Sequence, residues 1–452
     1  MSRNTPHASL IISALMFVAS VTIFVNAQSD EKAKPKTLIE QLRENPRGTV
    51  HDESDPTTDL MALFRDPNDN PKREPGPINI QKTAGGPAHW GIPTFFRQPV
   101  ALSPEDLKAG KVEVAFMGAS VDLSTGMRGA QYAPQAVRAG WKRGFWGSLT
   151  PQGHPVAGAV DFLRVLRCVD YGDAPVDLFS NVRSALPVHK MVKEICEAGA
   201  IPVVVGGDHS LMYPDLVAVT DVYGKGKVGV VHFDAHHDAS GVVFGNPVSH
   251  GAPVRRLIDE GHVKGRNFVQ IGLNGAKPGA KDMAWMRKNQ VRYHFMSELD
   301  RDGWKKVLER ALAEAMDGPE YLFISVDTDC LDPAWAPGMG TPAIGGMSPR
   351  ELFPMLRALA IQQQVVGVEL VEVNPIVDPT YRSVMVANFI LREILTASRC
   401  ASRASRTPTT LPRTGKTTEC RWERAKSSAA NLALGPRPCV GAKQFRVRHA
   451  RA

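Results

Sequence analysis

Cysteine is scarce in this chain: six in 452 residues. Three of them, Cys400, Cys420 and Cys439, fall near the C-terminus, leaving Cys168, Cys196 and Cys330 in the body. An odd set with no CxxC spacing excludes a disulfide framework and a zinc ribbon. Long apolar runs are equally scarce. Only Ala8 to Val25 approaches the length of a bilayer span, which excludes a multipass membrane protein. Internal repeats are absent. The body also lacks an excess of positive charge, although the whole chain carries +8. The segment from Arg399 to Ala452 holds ten Arg, three Lys and two Glu, a net of +11, so the remainder sums to about −3. That distribution gives the body no general nucleic-acid signature and predicts no specific nucleic-acid partner.

What is present fits a folded protein: 43% hydrophobic and 22% charged residues, close to a globular average. Arg3, the uncharged run and the small residues of Val25-Asn26-Ala27 have the layout of a secretory signal cut after Ala27. A secreted or periplasmic protein without a stable membrane span is expected; an uncleaved anchor at 1–27 is the alternative. Residues 28–90 contain eight prolines among interleaved charges and read as an extended N-terminal arm with one short helix. Residues 399–452, rich in Arg, Ser, Thr, Pro and Ala, read as a basic disordered tail.

Between them, residues 91–398 read as one catalytic domain. The runs at 112–118, 201–207, 227–234, 268–273, 321–327 and 365–373 have the apolar texture of buried strands. Trp304, Val307, Leu308, Ala311, Leu312 and Ala315 share one helical face, and Ser348-Pro349-Arg350-Glu351 is a capping box that starts a helix. Strands alternating with helices predict an α/β fold with a mostly parallel sheet covered on both faces, whose chemistry collects at the carboxyl ends of strands.

Three polar clusters end such strands: Gly206-Gly207-Asp208-His209-Ser210, Asp234-Ala235-His236-His237-Asp238 and Asp327-Thr328-Asp329. If the strand ends are extended, alternate residues share a side, so Asp234, His236 and Asp238 converge, as do Asp327 and Asp329. With His209 they make four carboxylates and two imidazoles. Unneutralised, these acids would repel one another and take up protons, so the set calls for two divalent cations. An oxygen-rich site with some imidazole suits Mn²⁺, with Ni²⁺, Co²⁺ or Fe²⁺ as rivals. By parity His237 points off the site and Cys330 packs, while His232 is expected to be a hydrogen-bonded core histidine.

The segments 203–210, 232–238 and 325–346 resemble the three signatures of the ureohydrolase family, which contains arginases and agmatinases. The block at 368–375 resembles a fourth, and 91–99 with Gly118 to Arg138 resembles the agmatinase branch. This resemblance implies a three-layer α/β/α fold, often in trimers or hexamers, and two Mn²⁺ ions that serve cleavage of a guanidino C–N bond to urea and an amine. It implies Asp234 and Asp327 as bridging carboxylates. His209 and Asp238 would complete one metal site, and His236 and Asp329 the other. Glu372 would orient the guanidinium and His250 would shuttle the proton. Glu369, found where many members carry Asp, departs from the pattern, as does the shortened Arg128-Gly129-Ala130 stretch. Trp335 is bulkier than the pattern suggests and is expected near the site mouth.

Agmatine is the expected substrate. A smaller guanidino compound (guanidinobutyrate, guanidinopropionate or guanidine) is the rival. A single-zinc deacetylase-like enzyme and a non-catalytic binding protein are the alternatives outside that chemistry.

Overall fold

The computed structural model describes residues 36–45, 60–64, 73–82, 90–140, 162–276 and 278–404. The expected signal segment at 1–27 and the tail beyond Ala404 lie outside the described residues. No helix among those described is long and apolar enough to cross a membrane.

Among the described residues eight strands form one sheet: β1 (Val114–Ala119), β2 (Cys168–Asp173), β3 (Ile201–Gly206), β4 (Val228–Phe233), β5 (Phe268–Leu273), β6 (Arg292–Phe295), β7 (Tyr321–Asp327) and β8 (Val365–Val371). Their order is β2-β1-β3-β8-β7-β4-β5-β6, and every pair is parallel. The six expected strands are all present. β2 and β6 were not legible, because Cys168-Val169-Asp170-Tyr171 and Arg292-Tyr293-His294-Phe295 mix polar and apolar residues. They are the two edge strands, where one side need not be dry.

Side-chain alternation divides the core into two layers. Val114, Phe116, Val203, Val205, Val231, Phe233, Ile324 and Val326 face one side, packed by Pro349–Gln362, Trp304–Ala315 and the helix from Arg382. Ala115, Met117, Val204, Val230, Phe323 and Val366 face the other, packed by Asn181–Glu197 and Met212–Tyr223. The result is the expected three-layer α/β/α arrangement. The capping box at Ser348 is formed, with the Glu351 carboxylate accepting from the Ser348 amide at 2.8 Å. The C-terminal helix runs to Ala404, past the expected boundary at 398.

The described part of the N-terminal arm is not a free spacer. Leu38–Glu44 is a helix with its own capping box at Thr37, and its Ile39 and Leu42 are buried in the second core layer. Arg43 reaches Asp221 at 2.9 Å, and Asp221 lies 2.9 Å from His189. An apolar Ile/Leu pair, easily overlooked among charges, decides this docking. Leu42→Ala should cost about 2–3 kcal/mol at this contact. Hydrogen exchange should then speed up over 38–44 while the sheet keeps its protection; unchanged exchange there would contradict the packing argument.

Candidate metal centre

The carboxyl ends of β3, β7 and β4 supply the cluster, and β8, which lies between β3 and β7, brings Glu372 beside it. The chain turns immediately after each. Asp234 follows β4, and its Oδ1 accepts the His236 amide at 2.5 Å; Asp327 Oδ1 likewise accepts the Asp329 amide at 2.8 Å. Thr328–Cys330 is a short 3-10 turn, and Asp238 adopts a left-handed φ of 43°. The expected convergence therefore occurs, but through turns closed by carboxylates, not through extended alternation.

All six expected ligands meet. His209 Nδ1 lies 3.0 Å from Asp238 Oδ2, 3.1 Å from Asp234 Oδ2 and 3.2 Å from Asp327 Oδ2. His236 Nδ1 lies 2.9 Å from Asp329 Oδ2 and 3.6 Å from Asp234 Oδ1. Two overlapping groups, His209/His232/Asp234/Asp238 and Asp234/His236/Asp329, bring their ligand atoms within 4.8 Å of one another. Asp234 is common to both. His209 Nδ1 and Asp234 Oδ2 are buried without an aligned hydrogen bond despite these short separations. Donor atoms crowded together yet unpaired are what a cation-binding set leaves behind, so the residues fit a pair of divalent ions.

His232 joins the first group, but its surroundings make it a supporting residue. The Gln270 amide donates to the His237 carbonyl at 2.7 Å, which turns its nitrogen toward His232 Nδ1 at 3.2 Å. Nδ1 then accepts, leaving the proton on Nε2, 2.8 Å from Asp234 Oδ2. His237 accepts the Ala239 amide on Nδ1 and stays out of the cluster, and Cys330 is packed in the core, both as parity suggested.

Charge is strongly perturbed. Burial raises Asp327 well above the usual carboxylate range, and the charges of Asp329 and Asp234 add to it. Burial and Asp234 raise Asp329. Burial works against ionised Asp234 too, but His232, His209 and His236 outweigh it and hold this carboxyl well below its ordinary value. Burial likewise opposes a charge on His209 and His236, yet the surrounding carboxylates raise both imidazoles above their usual value.

Glu372, one residue past β8, sits beside the cluster at a left-handed φ of 61°. Its Oε1 accepts the His209 amide at 3.1 Å, and burial with the charges of Asp327 and Asp208 raises its pKa. A non-glycine residue in this conformation is held there by its surroundings, a pattern common at working sites. His250 Nδ1 is 3.9 Å from Glu372 Oε1. Its Nε2 accepts the Thr125 amide at 3.2 Å. Trp335 is 46% exposed on the turn after Asp332, and among the described residues its indole makes no hydrogen bond or ring contact to the cluster.

Several supporting residues escaped the sequence reading. Thr341 Oγ1 donates to Asp329 Oδ2 at 3.1 Å, Ser325 Oγ lies 3.0 Å from His209 Nε2, and Asp208 Oδ2 accepts the Leu123 amide at 2.6 Å. Thr341 and Ser325 lie inside the third signature segment, so the signal was there, but nothing in the spacing assigned them partners.

A family profile described as the arginase family matches residues 112–397. The chain belongs to the arginase family. It is 33% identical over 325 residues to a guanidinobutyrase of Pseudomonas aeruginosa, spanning 70% of this chain and 96% of that protein. It is 35% identical over 312 residues to the mitochondrial agmatinase of Gallus gallus, spanning 68% and 85%. The solved proclavaminate amidino hydrolase of Streptomyces clavuligerus is similar in fold, with a TM-score of 0.61 at 30% identity, covering 70% of this chain and 100% of that one. Membership makes the chain a hydrolase of amidino C–N bonds and sets aside the deacetylase and binding-protein alternatives.

Burial and neighbouring charge raise the proton affinity of Asp327 and Asp329, and the surrounding carboxylates raise that of His209 and His236, so metal ions compete with protons for these groups and affinity must rise with pH. Calorimetric titration of Mn²⁺ into chelator-stripped protein in buffers of different ionisation enthalpy should report proton release and tighter binding at pH 8 than at pH 6 (roughly tenfold per proton per pH unit). Proton uptake would contradict this charge assignment.

Proposed function

We propose that the protein is a dimanganese amidinohydrolase that cleaves a guanidino compound to urea and an amine, with agmatine as its favoured substrate. The observation that carries this reading is the convergence of His209, Asp234, His236, Asp238, Asp327 and Asp329 beside Glu372. His209 and Asp238 would hold one ion, His236 and Asp329 the other, with Asp234 and Asp327 shared. Bound there, the ions supply Lewis acidity, which lowers the pKa of water towards neutrality.

The chain's own residues do the rest. Glu372 binds and orients the guanidinium through charge-assisted hydrogen bonds. The Thr125 amide occupies His250 Nε2, so the neutral ring carries its proton on Nδ1, the nitrogen facing Glu372. The ring takes up the proton shed by the attacking water, its Nε2–H then donating to Thr125 Oγ1 at 3.0 Å, and as imidazolium it passes the Nδ1 proton to the leaving amine as the C–N bond breaks, which returns it to the neutral form. His250→Asn should lower kcat by about 10²-fold while metal content per chain stays at the wild-type level. Wild-type turnover in that variant would remove His250 from the proton path.

The segment after Asp238 supports a decarboxylated substrate. Val242 and Phe244 are exposed, at 60% and 94%, and the segment around them is poor in donors. Arginine's α-groups find no partners there, and desolvating them unpaired is costly. A second reading, a guanidino acid, draws on Arg128, half exposed on the 122–129 loop and 3.6 Å from Asp122, whose fork of N–H donors leaves some for a distal carboxylate. The similarity to guanidinobutyrase favours it as well. Measured on one preparation, kcat/KM should rank agmatine first and arginine last among agmatine, 4-guanidinobutyrate, guanidine and arginine. 4-Guanidinobutyrate in first place, with Arg128→Ala reversing the order, would replace agmatine; arginine in first place would overturn the argument from the donor-poor segment.

Three further assignments belong to this proposal. The N-terminal pattern supports export from the cytoplasm. The basic segment beyond Ala404 has no assigned part in turnover. The half-exposed Trp90 and Ile92, together with Leu178 and Phe179, supply apolar surface for a homo-oligomer.

A further inference from the structure

Beside Glu372 lies a second polar group that the described residues leave unsatisfied. Glu372 Oε1 already accepts the His209 amide, whereas Oε2 is buried with no hydrogen-bond partner. The Ser124 hydroxyl is in the same condition, buried and unpaired. Both face one spot. A methyl group placed on Gly340 would lie 3.0 Å from Glu372 Oε2, 3.4 Å from the Met127 carbonyl oxygen and 3.7 Å from Ser124 Oγ. Glycine at 340 leaves that spot clear, where a side chain would press on the carboxylate.

Ser124 is held in place from both sides. The Leu123 amide donates to Asp208 at 2.6 Å and the Thr125 amide to His250 at 3.2 Å. The Met127 amide donates to the Gly340 carbonyl at 2.9 Å, and Asn374 Nδ2 donates to the Met127 carbonyl at 2.9 Å. The hydroxyl is thus fixed between the neighbour of one ligand histidine and the residue assigned to move the proton.

A guanidinium is planar, rich in N–H donors and without an acceptor. One uncommitted carboxylate oxygen pairs with only part of it. We infer that Ser124 is a substrate-binding residue whose Oγ accepts a hydrogen bond from one guanidinium nitrogen while Glu372 Oε2 accepts from another. The inference rests on the guanidino reading above and deepens it. Sharing the load between two residues lets the site count nitrogens: a formimidoyl compound, which lacks one terminal nitrogen, leaves the serine unpaired.

The test uses the Mn²⁺-loaded full chain with Ser124→Ala, the near-isosteric Ser124→Cys, and Ser124→Thr, which keeps the hydroxyl. Agmatine and 4-guanidinobutyrate are compared with the matching N-formimidoyl compounds, assayed as substrates or as competitive inhibitors. For Ala and Cys, kcat/KM on the guanidino compounds should fall about tenfold or more, mainly through KM. The preference for guanidino over formimidoyl should shrink at least about fivefold, and Thr should recover part of it. Metal content per chain should match wild type in all three. Equal losses on both compound classes, or no loss, would overturn the assignment of Ser124 while leaving the guanidino reading intact. A wild-type protein that releases urea from no guanidino compound would remove that reading, and this inference with it.

Discussion

The structure depends on a concentration of like charge that water cannot reach. Asp234, Asp327 and Asp329 are buried together, with Asp238 almost as deep, at the ends of central strands. Buried carboxylates repel and must be neutralised by protons, by cations or by both. Imidazoles flank the group on several sides: His209 and His236 at its heart and His232 beneath Asp234. Everything around the site serves to keep these charges close: turns closed by the acids themselves, a threonine and a serine behind the ligands, and a strained glutamate beside them.

The sheet explains how such a group can be held at all. β3, β8, β7 and β4 are neighbours, flanked by further strands and packed on both faces. Their backbones are paired on both edges, so the residues that follow them start from fixed points. Placing ligands after three such strands, with Glu372 after the fourth, fixes their separations better than any surface loop could. The loops that carry His250 and Ser124 are tied to this base through Glu372 and Asp208.

Much of this was legible in the sequence, for physical reasons. Central strands are apolar on both faces, so their runs stood out, and acids and histidines at the ends of such runs are conspicuous because burial penalises them. Edge strands with polar residues on one side did not stand out, which hid β2 and β6. The cluster was located, but the turn geometry that forms it was not, since an Asp accepting its neighbour's amide leaves no mark in spacing. Thr125, Ser124 and Thr341 stayed invisible for a related reason: a hydroxyl in a loop acquires its meaning only from what folds against it. The docked helix at 38–44 was obscured by the charged, proline-rich sequence around it.

The sheet order also bears on how the chain reaches this state during synthesis. Of the described strands β8 is the last to be made, yet it lies between β3 and β7, in the middle of the sheet. Until residues 365–371 emerge, β2-β1-β3 and β7-β4-β5-β6 can exist only as two partial sheets, each with an open apolar edge where β8 belongs. Vectorial growth therefore delivers the keystone last. One insertion seals both edges, brings Glu372 to its place, and sets the His209 side of the cluster against the Asp327 side. A chain stopped short of that strand lacks more than a C-terminal piece: its two halves have no seam.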